Sequence, residues 1–150
     1  MTGMERMMNN YPVEITPDDN GTLLVTFPDV PGAVTFGETK AEALENAVDA
    51  LETVFSGLIV KRRDLPAPSA ARGRQTVSLS LLGSLKVAVY RAMRARGWRK
   101  ADLARALGLN PRQIDRLLDL RHGSTVGQLE KALLACGRRV EIQARDLAAA

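Results

Sequence analysis

The sequence predicts an α+β chain: a strand-rich first half carrying one long helix, then an all-helical second half. Three observations predict it. Three short strand-like runs, 11–16, 22–27 and 33–36, the first of them alternating and β-rich, are each bounded by Pro, Gly, Asp or Asn. From residue 39, and again beyond residue 84, the apolar period lengthens to that of a helix. Between these stretches, residues 61–74 (KRRDLPAPSAARGR) turn basic, proline-rich and small. The expected organisation is a frayed segment 1–10, a β-β-β-α-β unit over 11–83 and a helical unit over 84–150.

Tyr11–Thr16 and Thr22–Phe27 read as a hairpin closed by PDDNG, whose residues suit a turn. PDVPG leads into a third strand, Ala33–Phe36. Thr39 with Glu42 reads as a capping box, and Leu44, Ala47, Val48, Leu51, Val54, Phe55 and Leu58 form one apolar stripe. Glu45, Asp49 and Glu52 fall on the opposite, solvated face, and Gly57 is the expected stop. Leu65–Ser69 reads as extended and Ala70–Gly73 as flexible. The strict alternation of QTVSLSLL (75–82) predicts a fourth strand that completes the sheet. From Ser84, Leu85, Ala88, Val89, Ala92 and Met93 form a helical stripe ending at Gly97. Thr125 and Gln128 open a last helix with Val126, Leu129, Ala132, Leu133 and Cys136 inward, stopped by Gly137. RRVEIQA (138–144) suits a short terminal strand, and Leu147–Ala150 should fray.

The densest pattern lies in Arg99–Leu120. Leu103 and Leu107 are one helical turn apart, and Ile114, Leu117 and Leu118 repeat that spacing. Ala104 permits a close helix crossing, Gly108 a sharp turn. Asn110 suits an N-cap and Pro111 the first helical position. Arg99 is a poor N-cap for the preceding helix, and Asp102 compensates through the helix dipole. The pair reads as a helix-turn-helix whose second helix enters the major groove of DNA. Arg112 and Arg116, one turn apart, can each grip guanine O6 and N7, worth roughly 1–3 kcal/mol of discrimination. Gln113 either reads adenine or caps its own helix. Asp115 either accepts from a cytosine amino group or pairs with Arg112 or Arg116. Lys100, Arg121 and His122 suit phosphate.

Charge divides with the halves. Residues 1–83 hold 7 basic and 11 acidic side chains, a balance of −4, and residues 84–150 hold 14 and 6, a balance of +8. An acidic half suits a basic partner, and an arginine-rich half suits an anion. One cysteine, Cys136, excludes an internal disulfide and a multi-cysteine zinc site. No run approaches membrane-span length and MTGMERMMNN lacks a signal-peptide core, so a cytosolic protein is expected.

Over nearly the full length these residues resemble HicB-type antitoxins. The resemblance rests on the Tyr11-Pro12 start, the acidic turn and Phe27-Pro28-Asp29-Val30-Pro31-Gly32. Thr35-Phe36-Gly37-Glu38-Thr39, Glu42-Ala43-Leu44 and Pro66–Ser69 add to it. The second half is similar to the phage-repressor helix-turn-helix that many HicB proteins carry. Thr22 and Ala33 depart from the pattern, which usually has an aromatic and a cysteine there. The resemblance implies a partial ribonuclease-H-like first domain. It also implies a partner toxin, HicA, a small basic mRNA-cleaving ribonuclease, and repression of the protein's own operon.

Toxin contact is expected at Asp18, Asp19, Phe27, Asp29, Val30 and Pro31, with strand addition at a sheet edge as one mode. DNA contact is expected from Lys100, Asn110, Arg112, Gln113, Asp115, Arg116, Arg121 and His122. A homodimer, or a toxin-linked tetramer, would set two reading helices about 34 Å apart on a palindromic operator. A metal-dependent nuclease would need carboxylates converging on two ions about 4 Å apart. Of its candidates, Asp18, Asp19, Asp29 and Glu38, the three aspartates read better as turn formers, and no positioned His or Lys assists, so no catalytic residue, metal or cofactor is expected. A free-standing regulator whose first domain senses a small molecule is the other alternative.

Overall fold

In the computed structural model, which describes residues 9–147, the first strand run divides in two at Val13. β1 (Asn10–Pro12) pairs antiparallel with β5 (Thr76–Ser78), Tyr11 opposite Val77. β2 (Glu14–Pro17) pairs with β3 (Leu23–Thr26), and β3 with β4 (Val34–Gly37), both antiparallel. Pro12 has no N–H to donate, and the Val13 N–H bonds to Gln75 O at 2.9 Å. At that point the chain changes partner. Two small sheets, β1-β5 and β2-β3-β4, therefore replace the single sheet expected from the alternation.

The helix α1 (Lys40–Val60) covers β3 and β4. Thr39 Oγ1 accepts from the Glu42 N–H at 3.1 Å. Ala43, Ala47, Leu51, Phe55 and Ile59, four residues apart, are all buried. The Tyr11 ring meets Phe55 edge-on, centroids 5.4 Å apart. Gly57 does not stop the helix. It faces open space, and one further turn buries Ile59. Gly37 is needed where it stands: a Cβ there would lie 2.5 Å from the Ala43 backbone nitrogen.

The 61–75 segment has no regular structure up to residue 75, but hydrogen bonds pin it. Tyr90 Oη donates to Arg63 O and Tyr11 Oη to Pro66 O, each at 2.6 Å. Arg74 Nη2 donates to Ala70 O at 3.0 Å, across the stretch expected to be loose. The alternation of 75–82 holds through Leu79 and then breaks, because Ser80 caps a helix. Its Oγ accepts from the Gly83 N–H at 3.0 Å, and α2 (Leu81–Ala95) begins three residues before Ser84. The expected boundary at Gly83-Ser84 falls in the first turn of α2.

α2 is buried on several sides, through Leu85, Lys86, Val87, Val89, Tyr90, Ala92 and Met93, and leads into the remaining helices. Those are α3 (Lys100–Leu107), α4 (Pro111–Leu118) and α5 (Val126–Ala135). One core runs from Tyr11 to Cys136. Val126, expected inward, is 58% exposed at the start of α5. Residues 138–144 form no strand. The expectations for residues 1–8 and 148–150 lie outside the described residues.

Candidate nucleic-acid interface and acidic face

α3 and α4 form around Leu103, Ile114, Leu117, Leu118 and Leu120, all buried, with Ala104 and Leu107 half-buried beside them. Gly108, in the left-handed conformation (φ 66°), turns the chain, and the Leu109 N–H returns to Ala104 O at 3.0 Å. Arginine has no acceptor, so Arg99 gives α3 only half a cap: Asp102 Oδ2 accepts from the Arg99 N–H at 2.8 Å. That hydrogen bond, with Arg105 alongside, holds the Asp102 carboxyl below its usual value. At α4 the cap is complete. Asn110 Oδ1 accepts from the Gln113 N–H and Gln113 Oε1 from the Asn110 N–H, both at 2.9 Å. Of its two readings, Gln113 takes the cap.

The far end of α4 is held by a residue missed in the sequence. Lys86, 0% exposed, donates to Arg116 O and Asp119 O at 2.8 Å each and to Ser124 Oγ at 2.9 Å. All three ammonium protons reach acceptors, and two of these are carbonyls at the negative end of the α4 dipole. Burial pushes the Lys86 pKa down, against the opposing pull of Asp119. A signal was available: Lys86 lies on the stripe of Leu82, Val89, Tyr90 and Met93, where a solvated lysine has no place.

The outward side chains of α4 divide into two kinds. Arg112 and Arg116 are exposed and have no ion-pair partner among the described residues. Asp115 is paired at 2.5 Å, but with Lys100 of α3 rather than with either arginine. Lys100, expected to suit phosphate, is engaged in that pair. Arg121, itself exposed, reaches α1, donating to Asp49 O at 3.3 Å and Thr53 Oγ1 at 3.2 Å. His122 and Asn110 are exposed.

On the first half, Phe27 and Val30 do not form a surface. Tight turns, Val30 N–H to Phe27 O and Ala33 N–H to Val30 O, both 3.1 Å, fold them into the core. Asp29 is occupied as well, its Oδ2 accepting from Ser69 N at 2.8 Å and Ser69 Oγ at 2.9 Å. Asp18, Asp19 and Pro31 remain exposed. Glu52, expected on the solvated face, is only 7% exposed. It meets the start of α2, 3.3 Å from Ser80 Oγ, and a Cβ on Gly83 would come within 2.6 Å of its Oε2. Burial raises its carboxyl pKa, with Ser80 and Arg121 opposing. Among the described residues no three His, Cys, Asp or Glu side chains gather at metal-binding range.

Residues 10–88 match the model of a family described as HicB-like antitoxins of bacterial toxin–antitoxin systems. Antitoxin HicB 2 of Photorhabdus laumondii is 37% identical over 134 residues, 89% of this chain and 95% of that protein. Antitoxin HicB of Pseudomonas fluorescens is 34% identical over 136 residues, 89% and 92% of the two chains. Antitoxin HicB of Escherichia coli K12 is 33% identical over 133 residues, 88% and 96%. Among solved structures, the Burkholderia pseudomallei antitoxin HicB is similar with a TM-score of 0.44 and 23% identity. That match covers 69% of this chain and 100% of the other.

Proposed function

This chain belongs to the HicB-like family of bacterial antitoxins, and from that premise we propose that it does two jobs with its two halves. The acidic half, 11–83, neutralises a HicA-type mRNA-cleaving toxin. The helical half, 84–150, represses the protein's own operon by setting α4 in the major groove as the second helix of a helix-turn-helix. Both jobs belong in the cytoplasm, where mRNA and operator are found.

The observation that carries the DNA reading is the division of α4. One face is buried, both ends are tied, and the exposed face offers Arg112 and Arg116 free of any ion pair among the described residues. A fixed helix with two uncommitted guanidiniums one turn apart suits bidentate contact with guanine. The Lys100–Asp115 pair keeps Asp115 from repelling phosphate. One such unit makes a small interface, so the active form is a dimer. Exposed Val126, Leu134 and Ile142 supply apolar surface for a second copy.

A mobility-shift titration with the DNA upstream of the gene tests this. Arg112→Ala should weaken binding about 10- to 100-fold and relax the sequence preference at one position. Parental affinity in that variant would overturn the assignment of α4 as the reading helix.

A further inference from the structure

The register of the three-stranded sheet sorts its side chains onto two faces. Ile15, Val25 and Thr35, opposite one another, lie on the face where Val25 is completely buried. The other face carries two cross-strand rows, Glu14–Thr26–Val34 and Thr16–Leu24–Phe36. On it Phe36 is 61% exposed and Val34 53% exposed, with Leu24 half-buried opposite Phe36. A lone exposed apolar residue is ordinary, but a contiguous aromatic-centred patch on a sheet face marks a contact surface.

Charge says what kind of partner fits. Residues 14–45 hold seven acidic side chains and one basic one, and that one, Lys40, belongs to α1 rather than to the sheet or its turns. The sheet and turns thus offer carboxylates only: Glu14 on the face itself, Asp18 and Asp19 at the β2–β3 turn, Glu38 after β4. A second copy presenting the same face would meet like charge, which disfavours self-association there. The contact is also not strand addition at β4. Asn46 Nδ2 donates to Phe36 O at 3.0 Å, and the first turn of α1 packs against Gly37, so α1 closes that edge and leaves the face open.

We propose that the outer face of the β2-β3-β4 sheet is the docking surface for a basic protein. Phe36 seats in an apolar pocket of the partner, and Glu14 with the acidic turns faces its cationic surface. The inference rests on the antitoxin reading, in which that partner is the toxin, and moves the contact off the 27–31 loop. An aromatic anchor ringed by charge follows the usual anatomy of a tight interface, with the charges serving association rate and orientation.

The test uses full-length protein and the toxin encoded beside it, with Kd measured by calorimetry and parental DNA binding and unfolding midpoint as controls. Phe36→Glu, and separately Val34→Glu, should weaken toxin binding by about 30-fold or more, as loss of an anchor does. Operator binding and the unfolding midpoint should stay at parental values. Toxin binding within about threefold of the parent in both variants would overturn the proposal. So would a fall in oligomer mass with toxin binding intact, which would assign the face to a second copy. A parent that binds no toxin would instead overturn the antitoxin reading.

Discussion

Replacing Lys86 by Met tests whether a buried ammonium fixes the DNA-reading helix. The side chain is fully enclosed, and its three hydrogen bonds reach Arg116 O, Asp119 O and Ser124 Oγ. Charge-assisted hydrogen bonds are worth roughly 1.5–3 kcal/mol each. Against them stands the cost, on the order of several kcal/mol, of taking an ammonium out of water. Methionine fills similar volume and removes that cost, but leaves two carbonyls and a hydroxyl without their donor. The balance is a net loss of about 2–4 kcal/mol. At about 2–4 °C per kcal/mol for a domain of this size, the unfolding midpoint falls by roughly 5–15 °C. Calorimetric unfolding reads the change, and a mobility shift below the midpoint reads whether α4 has lost its position. Operator affinity should fall while toxin binding persists. A midpoint within about 1 °C of the parent, with operator binding intact, would refute the reasoning.

Two further perturbations probe the frame. Gly37→Ala puts a Cβ 2.5 Å from a backbone nitrogen that cannot step aside, and should destabilise by about 1–3 kcal/mol in urea unfolding. Glu52→Gln keeps shape and removes charge. Burial raises the Glu52 carboxyl above its ordinary 4.5, so the folded state keeps the proton where the unfolded chain has released it. The stability this contributes is full below pH 4.5 and is lost as pH rises through the folded value. The variant should therefore unfold at a higher temperature than the parent at pH 7 and at the same temperature at pH 4. A parent more stable than the variant at pH 7 would contradict this.

What could be read from the sequence was local. The caps at Thr39, Asn110 and Thr125 each lie within three residues of their partners, and each forms. So do the turn at Gly108 and the apolar frame of α3 and α4. What escaped depends on residues far along the chain. Val13 changes partner because Gln75 is waiting there. Ser80 caps a helix where alternation promised more strand. Lys86 and Glu52 look solvated until residues about 30 positions away close over them. Phe27 and Val30, among prolines and an aspartate, read as loop surface, yet two tight turns fold them inward. Phe36, equally apolar, stays outside because the pairing of β3 with β4 sets it on the face opposite the buried Val25. Polarity and spacing do not carry that distinction; the register does.

The most direct test of the two-job account separates the jobs in one cell. Expression of the neighbouring toxin should arrest growth, and the parent chain should both restore growth and silence a reporter driven by its own upstream DNA. Arg112→Ala should restore growth as fully as the parent while leaving the reporter active. Continued arrest with the parent chain present would contradict the account.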